Sequence, residues 1–315
     1  MMRVLVVANH NSGDFSPFVV EQAESLHEVG VEIEFYGIVG KDLMGYLGNV
    51  IGLKKKICAF NPDLVHAHYG LSGLCANLQR KVPVITTYHG SDIHIGGWVL
   101  RLSKIAMRLS AYNIFVSRKI FELSGYKKNN ACVQSCGLNF DVIREIPKAQ
   151  ARKELGLDIN ERMGLFSGSF DKYIKNYPLA KAAIDKMKGV RLIELKGYSR
   201  HEVNLLMNAC DFQLTTSFRE SGPLVVKEAM ACGTPVVSVD VGDVKEIFGG
   251  TEGCYIAERN PDDIAAKIQQ ALSFEGKTTG RQRIIDLGLD NKLVAKRLIS
   301  IYQEVLRELK CTIVI

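Results

Sequence analysis

Short apolar runs rich in β-branched residues recur along the chain, each followed by a stretch whose apolar positions fall at helical spacing. The runs near residues 3–8, 31–36, 63–67, 83–87, 112–116 and 131–135 read as strands, with helices between them. Strands alternating with helices form a parallel sheet covered on both faces. The rhythm breaks at a polar, charged stretch from Arg144 to Glu161. It resumes with strands near 163–167, 190–195, 211–216, 235–239 and 254–256. This predicts two doubly wound Rossmann-like α/β domains, residues 1–150 and 151–290, with the cleft between them as the natural ligand site. A last helix, about Asn291 to Lys310 within residues 291–315, carries Leu298, Ile301, Tyr302, Val305 and Leu309 as its apolar positions.

Composition supports two ordinary cores, since 47% of the 315 residues are hydrophobic and 23% charged. No apolar run approaches the ~18 residues of a membrane span. The opening Met1 to Ala8 reads as a first strand rather than a leader, so the expectation is an intracellular protein. The eight cysteines include no C-x-x-C pair and suit free thiols in a reducing compartment. Cys132 and Cys136 have no neighbouring partner ligands to make a metal site. The net charge of +6 divides as 16 Lys/Arg against 12 Asp/Glu in residues 1–150 and 24 against 22 in the rest. That balance is too mild and too even for a nucleic-acid footprint. Two local features stand out, Lys54-Lys55-Lys56 and the segment Trp98 to Leu109. The latter places Trp98, Leu102, Ile105 and Leu109 on one helical face and Arg101, Lys104 and Arg108 on another. It fits either an anionic membrane surface or a helix packed on its own sheet with a solvated basic edge.

The densest chemistry lies near residue 220. Glu220 and Glu228 flank Ser221-Gly222-Pro223, which opens an apolar run beginning Leu224-Val225-Val226. A Ser-Gly-Pro start predicts a helix N-terminus with proline in its first turn. Free N–H groups and the positive end of the helix dipole make such a terminus an anion site. Carboxylates beside it would accept hydrogen bonds from sugar hydroxyls, so the pattern points to a phosphate joined to a sugar. The strand before this loop and the strand after the helix make a βαβ unit, and ligands gather at the carboxyl ends of such strands.

The segment Glu220-Ser-Gly-Pro-Leu-Val-Val-Lys-Glu228-Ala-Met-Ala-Cys-Gly-Thr-Pro235 resembles the E-x7-E donor-site segment of retaining GT-B-fold glycosyltransferases of family 4. Asp63-Leu-Val-His-Ala-His-Tyr-Gly-Leu-Ser-Gly73, Thr87-Tyr-His-Gly-Ser-Asp-Ile93 and Cys136-Gly-Leu-Asn139 are similar to other segments of that family. The resemblance implies a GT-B fold whose last helix returns to the N-terminal domain. It implies that Glu220 holds donor-sugar hydroxyls, that Glu228 holds the nucleotide ribose, and that Ser221, Gly222, Pro223 and Leu224 face the diphosphate. It also implies that Lys175 stabilises the leaving phosphate and that His89 lies near the donor sugar. The resemblance further implies that Gly13 comes close to the phosphates and that His68 and Asp92 stand on the acceptor side. Where the family shows an arginine this chain has Ser169, so either Ser169 and backbone N–H groups suffice, or Lys172 or Arg219 substitutes.

Read without the resemblance, His66 and His68 two apart at a strand end, with His89 and Asp92, form a candidate metal-ligand set for a hydrolase. The first loop, Asn9 to Phe18, has Ser16 as a candidate cap and Pro17 as the first helical residue, and lacks the G-x-G-x-x-G of dinucleotide enzymes. The expected protein is a metal-independent, retaining hexosyltransferase. It would take a UDP- or GDP-sugar as substrate, need no cofactor, and transfer to a glycan hydroxyl, on a lipid-linked acceptor, in cell-surface polysaccharide synthesis. It would work in the cytoplasm at the inner face of the membrane and bind no nucleic acid. The alternatives are a catalytically idle nucleotide-sugar-binding protein of the same fold and the metal-dependent hydrolase.

Overall fold

The computed structural model describes residues 1–313, so the last two residues of the expected 291–315 segment lie outside it. The chain forms two compact units, one from residues 1–137 with the chain from Asn291 onward, the other Leu138–Asp290.

Unit 1 holds six parallel strands, β1 (Met2–Asn9), β2 (Val31–Ile38), β3 (Leu64–His68), β4 (Val84–Tyr88), β5 (Tyr112–Phe115) and β6 (Ala131–Val133), in the order β2-β1-β3-β4-β5-β6. Its connecting helices are α1 (Pro17–Glu28), α2 (Leu43–Phe60), α3 (Gly70–Asn77), α4 (Ser91–His94), α5 (Gly97–Leu109) and α6 (Arg118–Ser124). Unit 2 begins with α7 (Lys148–Leu155) and has five parallel strands, β7 (Arg162–Phe166), β8 (Val190–Glu194), β9 (Phe212–Thr215), β10 (Val236–Val239) and β11 (Cys254–Ala257), in the order β11-β10-β9-β7-β8. Between and after them run α8 (Tyr177–Ile184), α9 (Arg200–Ala209), α10 (Leu224–Ala231), α11 (Val244–Phe248), α12 (Pro261–Leu272) and α13 (Gly280–Asp286). The last helix, α14 (Asn291–Ile313), belongs to unit 1.

Each predicted strand is present within a residue or two of its expected ends, because runs buried on both faces leave little freedom in register. In β1, Val4, Val6 and Ala8 pack with α1 and α14, while Leu5 and Val7 pack with α2 and α3. Val294, Leu298 and Val305 of α14 are almost wholly buried there. Each contributes about 1.5–3 kcal/mol by leaving water, so α14 is part of the core of unit 1.

Three local expectations are corrected. The chain enters unit 2 at Leu138, before residue 150, because Leu138, Ile143 and Ile146 are buried among unit 2 side chains. The side chains of Asn204 and Asn208 on α9 also accept the N–H groups of Arg144 and Ile146 at 3.0 and 2.8 Å. At the start of α10, Pro223 is the N-cap and not a first-turn residue, and no side chain caps the helix. Ser16 is the N-cap of α1 by position, with Pro17 following, but its side chain makes no capping bond.

Candidate active site

In unit 2 the loop after β9 carries Glu220. Its Oε1 accepts Lys175 Nζ and Ser217 Oγ, each at 2.7 Å. Lys175 ends a short 3-10 turn, Tyr173–Lys175, and its stem lies over Gly168, where a Cβ would stand 2.9 Å from Lys175 Cε. Gly168 is therefore a glycine because the lysine occupies the space of a side chain. Both members of the pair are mostly covered, at 19% and 17% side-chain exposure, which fixes the ammonium beside the loop instead of leaving it a solvated surface charge.

Behind this pair, α10 carries Glu228, which is buried, with Oε1 accepting Arg200 Nη1 at 2.8 Å. The first hydrogen bond at the head of α10 runs from Val226 N to Pro223 O at 3.2 Å, so Leu224 and Val225 present their N–H groups ahead of it. Beneath the turn, the buried Lys227 and Asp243 approach to 3.3 Å. A Cβ on Gly222 would stand 3.0 Å from Asp243 Oδ2, so a larger residue in this turn would press on the Asp243 carboxylate. Arg259 holds the loop from the other side, donating to the carbonyls of Thr216 and Phe218 at 3.4 and 3.3 Å.

Ser169 already has carboxylate partners. It is buried, with its one hydroxyl proton between the carboxylates of Asp171 and Glu194, the latter's Oε1 at 2.8 Å, while Lys196 pairs with Asp171 at 2.9 Å. A hydroxyl already committed to carboxylates offers no proton to a phosphate. Lys172 and Arg219 are both exposed.

In unit 1 three imidazoles come together. His66 and His68, on one face of β3, stack with ring centroids 4.6 Å apart, and His68 stacks on His89 at 5.2 Å. A hydrogen bond of 3.0 Å joins His68 Nδ1 to His89 Nε2. Phe18 and Tyr69 each pack on His89 at 4.7 Å. Burial pushes the pKa of His66 down to about 4, that of His89 to about 3, and that of His68 well below the ordinary value, because an imidazolium there would lose its hydration. All three are neutral at pH 7. His66 is a structural histidine: its Nδ1 meets the Tyr302 hydroxyl of α14 at 2.6 Å and its Nε2 the Thr87 hydroxyl at 2.7 Å.

Asp92 binds backbone with both oxygens, Oδ1 accepting Gly90 N at 2.7 Å and Oδ2 accepting Gly70 N at 3.1 Å. Burial nevertheless raises its pKa to about 6, with those N–H groups opposing the shift. With His66 and Asp92 so engaged, the four proposed ligands do not converge. No group of three or more His, Cys, Asp and Glu side chains among the described residues is placed to hold a metal ion. The hydrolase reading therefore lacks a site.

Asp92 also lines a cavity of about 420 Å³ in unit 1, together with Asn9, Lys41, Tyr46, Tyr69 and Trp98. Gly13 is not in its lining, though its neighbours Ser12 and Asp14 are, and its φ of +88° is what the loop turn requires of it. Tyr69 has φ 73° and ψ 149°, a conformation rarely taken by a residue with a side chain. It was missed in the sequence, as were Arg200 and the Lys227–Asp243 pair. Nothing local marks any of them except the glycine that follows Tyr69.

A six-stranded and a five-stranded parallel sheet, each covered by helices, match the GT-B fold of solved glycosyltransferases. Residues 2–124 match the family described as Glycosyltransferase Family 4, and residues 175–286 match Glycosyl transferases group 1. TuaC of Bacillus subtilis, a glycosyltransferase provisionally assigned to teichuronic acid biosynthesis, is 28% identical over 238 residues, which are 66% of this chain and 60% of TuaC. Sucrose-phosphate synthase from Thermosynechococcus elongatus superimposes with a TM-score of 0.83 at 16% identity, covering 98% of this chain and all of that one. HepE of Anabaena, solved in complex with UDP, superimposes with a TM-score of 0.72 at 16% identity, covering 98% of this chain and all of HepE. The chain belongs to the GT-B glycosyltransferases of family 4.

Proposed function

We propose that this protein is a retaining hexosyltransferase that moves a sugar from a UDP- or GDP-sugar to a hydroxyl of a glycan acceptor in cell-surface polysaccharide synthesis. The observation that carries the reading is the Lys175–Glu220 pair at the loop beside the head of α10, with Glu228 buried behind it. HepE binds UDP, and TuaC is named for teichuronic acid biosynthesis; both agree with this substrate class.

Lys175 and the leading N–H groups of α10 stabilise the charge that grows on the departing diphosphate. Glu220 orients Lys175 and accepts donor-sugar hydroxyls, and Glu228, steered by Arg200, accepts the ribose hydroxyls. With Ser169 committed to Asp171 and Glu194, Lys175 is the cation that matters most to the phosphates. His89, a neutral ring fixed by Phe18, Tyr69 and His68, supplies a hydrogen bond to the donor sugar without attracting anions. The acceptor attacks from the face the leaving group vacates and gives its proton to a phosphate oxygen, so no side chain is assigned as general base and no metal is required. His68 and Asp92 belong to the acceptor side, where the unit 1 cavity takes the acceptor sugar. The protein works in the cytoplasm, and α5 is the element that meets the inner face of the membrane.

The paired Lys175 and Glu220 favour turnover over an idle binding protein, because an ammonium held at a leaving group acts mainly in the transition state. The test is proton NMR of the product formed from an α-linked UDP- or GDP-sugar and a glycan acceptor. An α-linked product supports the reading; a β-linked product or the absence of nucleotide release contradicts it.

A further inference from the structure

The mechanism leaves one exposed aromatic pair of unit 2 unused. Tyr173 and Phe218 meet as tilted rings with centroids 5.1 Å apart and planes at 33°. Tyr173 is 83% exposed and Phe218 41%. Among the described residues this is the one aromatic contact in which both rings are exposed. Single apolar side chains at a surface need no explanation. Two rings fixed against each other and left open to water, on loops tied to the reaction site, are a different matter.

The two loops that carry the rings are the ones that carry Lys175 and Glu220, and they are bonded into one plate. Phe218 N donates to Ile174 O at 2.9 Å. The Thr216 hydroxyl shares its proton between the carbonyls of Lys175 and Asn176, at 3.1 and 3.0 Å. Lys175 Nζ donates to Glu220 at 2.7 Å, and Arg259 Nη2 to the Phe218 carbonyl at 3.3 Å. Each ring stands two residues from a member of the ion pair, which is at most about 7 Å of backbone. Phe218 precedes Glu220 and α10 follows it, so along the chain the rings lie on the far side of Glu220 from the head of α10.

We infer that Tyr173 and Phe218 form a subsite that stacks on a sugar ring of the glycan acceptor. This subsite rests on the transfer reading, to which it adds a preference for long acceptors over short ones. Under that reading the donor ends in a single sugar at Glu220, so a ring held beyond Glu220 belongs to the acceptor. A pyranose whose substituents are equatorial has two faces made of C–H groups. Such a face lies against an aromatic ring with release of water from both, while the hydroxyls stay hydrated at the edge. Rings already fixed by their mounting lose little freedom on binding. Nucleobases would stack as well, but sites for single strands follow a basic groove. Here the exposed neighbours have both signs, Lys172 and Arg219 with Asp171.

The probes are methyl β-glucoside and cellotetraose, whose β-linked glucose rings carry only equatorial substituents. Their binding is measured by NMR titration of the full chain and of Tyr173→Ala, Phe218→Ala and Tyr173→Phe. The native protein should hold cellotetraose about tenfold more tightly than methyl β-glucoside. Either alanine variant should lose that advantage and bind methyl β-glucoside as before, whereas Tyr173→Phe should keep it. Equal binding of the two sugars by the native protein, or native affinity for cellotetraose in Tyr173→Ala, would overturn the proposal. Tighter binding of oligouridine than of cellotetraose would overturn it as well. Nucleotide release from a UDP- or GDP-sugar without acceptor should be the same in all three variants as in the native protein. If the native protein releases no nucleotide even with a glycan acceptor, the transfer reading fails and takes the acceptor role with it, whatever the sugars show. If release is present and the two sugars bind alike, the aromatic subsite alone fails.

Discussion

Unit 1 presents three of its candidate residues as a column of neutral rings, whereas unit 2 presents its own as opposed charges within hydrogen-bonding distance. His66, His68 and His89 are held uncharged by burial. Lys175–Glu220, Arg200–Glu228 and Lys227–Asp243 are ion pairs of 2.7, 2.8 and 3.3 Å. A neutral ring cannot draw in a diphosphate, but it keeps its shape and hydrogen bonds in any ionic medium. A paired lysine costs more to bury, yet it is already in place when negative charge develops. Under the proposed function, anion handling falls to unit 2 and shape recognition to unit 1.

Acid should separate the two units most strongly. As pH falls below 6.5 the unfolded histidines take up protons, whereas folded His66 and His89 stay neutral until about 4 and 3, so stability is lost through that window. Between pH 7 and pH 5 this amounts to about 2 kcal/mol for each histidine. Asp92 works in the opposite sense, since its folded pKa of about 6 lies above 3.8 and its protonation stabilises the fold as pH falls through that range. It offsets part of the loss. Unit 2 has no buried histidine and should not share the effect. Hydrogen exchange at pH 5 and pH 7 checks this: protection should fall in β3 and β4 more than in β9 and β10, and a uniform change would break the comparison.

Next in size is the cation. Lys175→Ala should lower kcat about 10²- to 10³-fold, the scale for losing one fixed donor to a developing charge. Lys172→Ala should leave it near the native value. Steady-state kinetics with both variants decides, and equal rates for Lys175→Ala and native protein would remove Lys175 from the mechanism.

The carboxylates should differ in kind. Glu228→Ala should weaken free nucleoside diphosphate by about 1–3 kcal/mol, while Glu220→Ala should spare free nucleotide and weaken the sugar-bearing donor. Titration calorimetry with both ligands would expose equal effects, which the assignment forbids. Smallest is Tyr302→Phe, which removes the hydroxyl from His66 Nδ1. It should lower stability in urea by about 0.5–1.5 kcal/mol, with nucleotide binding unchanged.

What could be read in the sequence follows from how local each feature is. The strands were legible because β-branched runs buried on both faces announce themselves without reference to partners. Glu220, Glu228 and Lys175 were legible from their motif, and the last helix from its spacing. Arg200 and Glu228 meet across 28 positions and His66 and Tyr302 across 236, separations that no window of sequence reports. The faces of α5 were visible, but which one turns inward depends on Gly70 of α3, where a Cβ would fall 2.2 Å from Ser103 Oγ, and could not be read from the helix itself. The end of unit 1 was placed too late because the polar stretch after Arg144 looks like a linker, while Leu138 and Ile143 just before it are already core residues of unit 2.

The central claim is that the acidic and basic residues around α10 hold a nucleoside diphosphate. Thermal unfolding of the native protein and of Glu228→Ala, each with UDP, GDP and ADP, tests it most directly, because a ligand that binds only the folded state raises the melting temperature. The account predicts a rise with UDP or GDP for the native protein and a much smaller one for Glu228→Ala. No rise with any of the three, or an equal rise in both proteins, would contradict it.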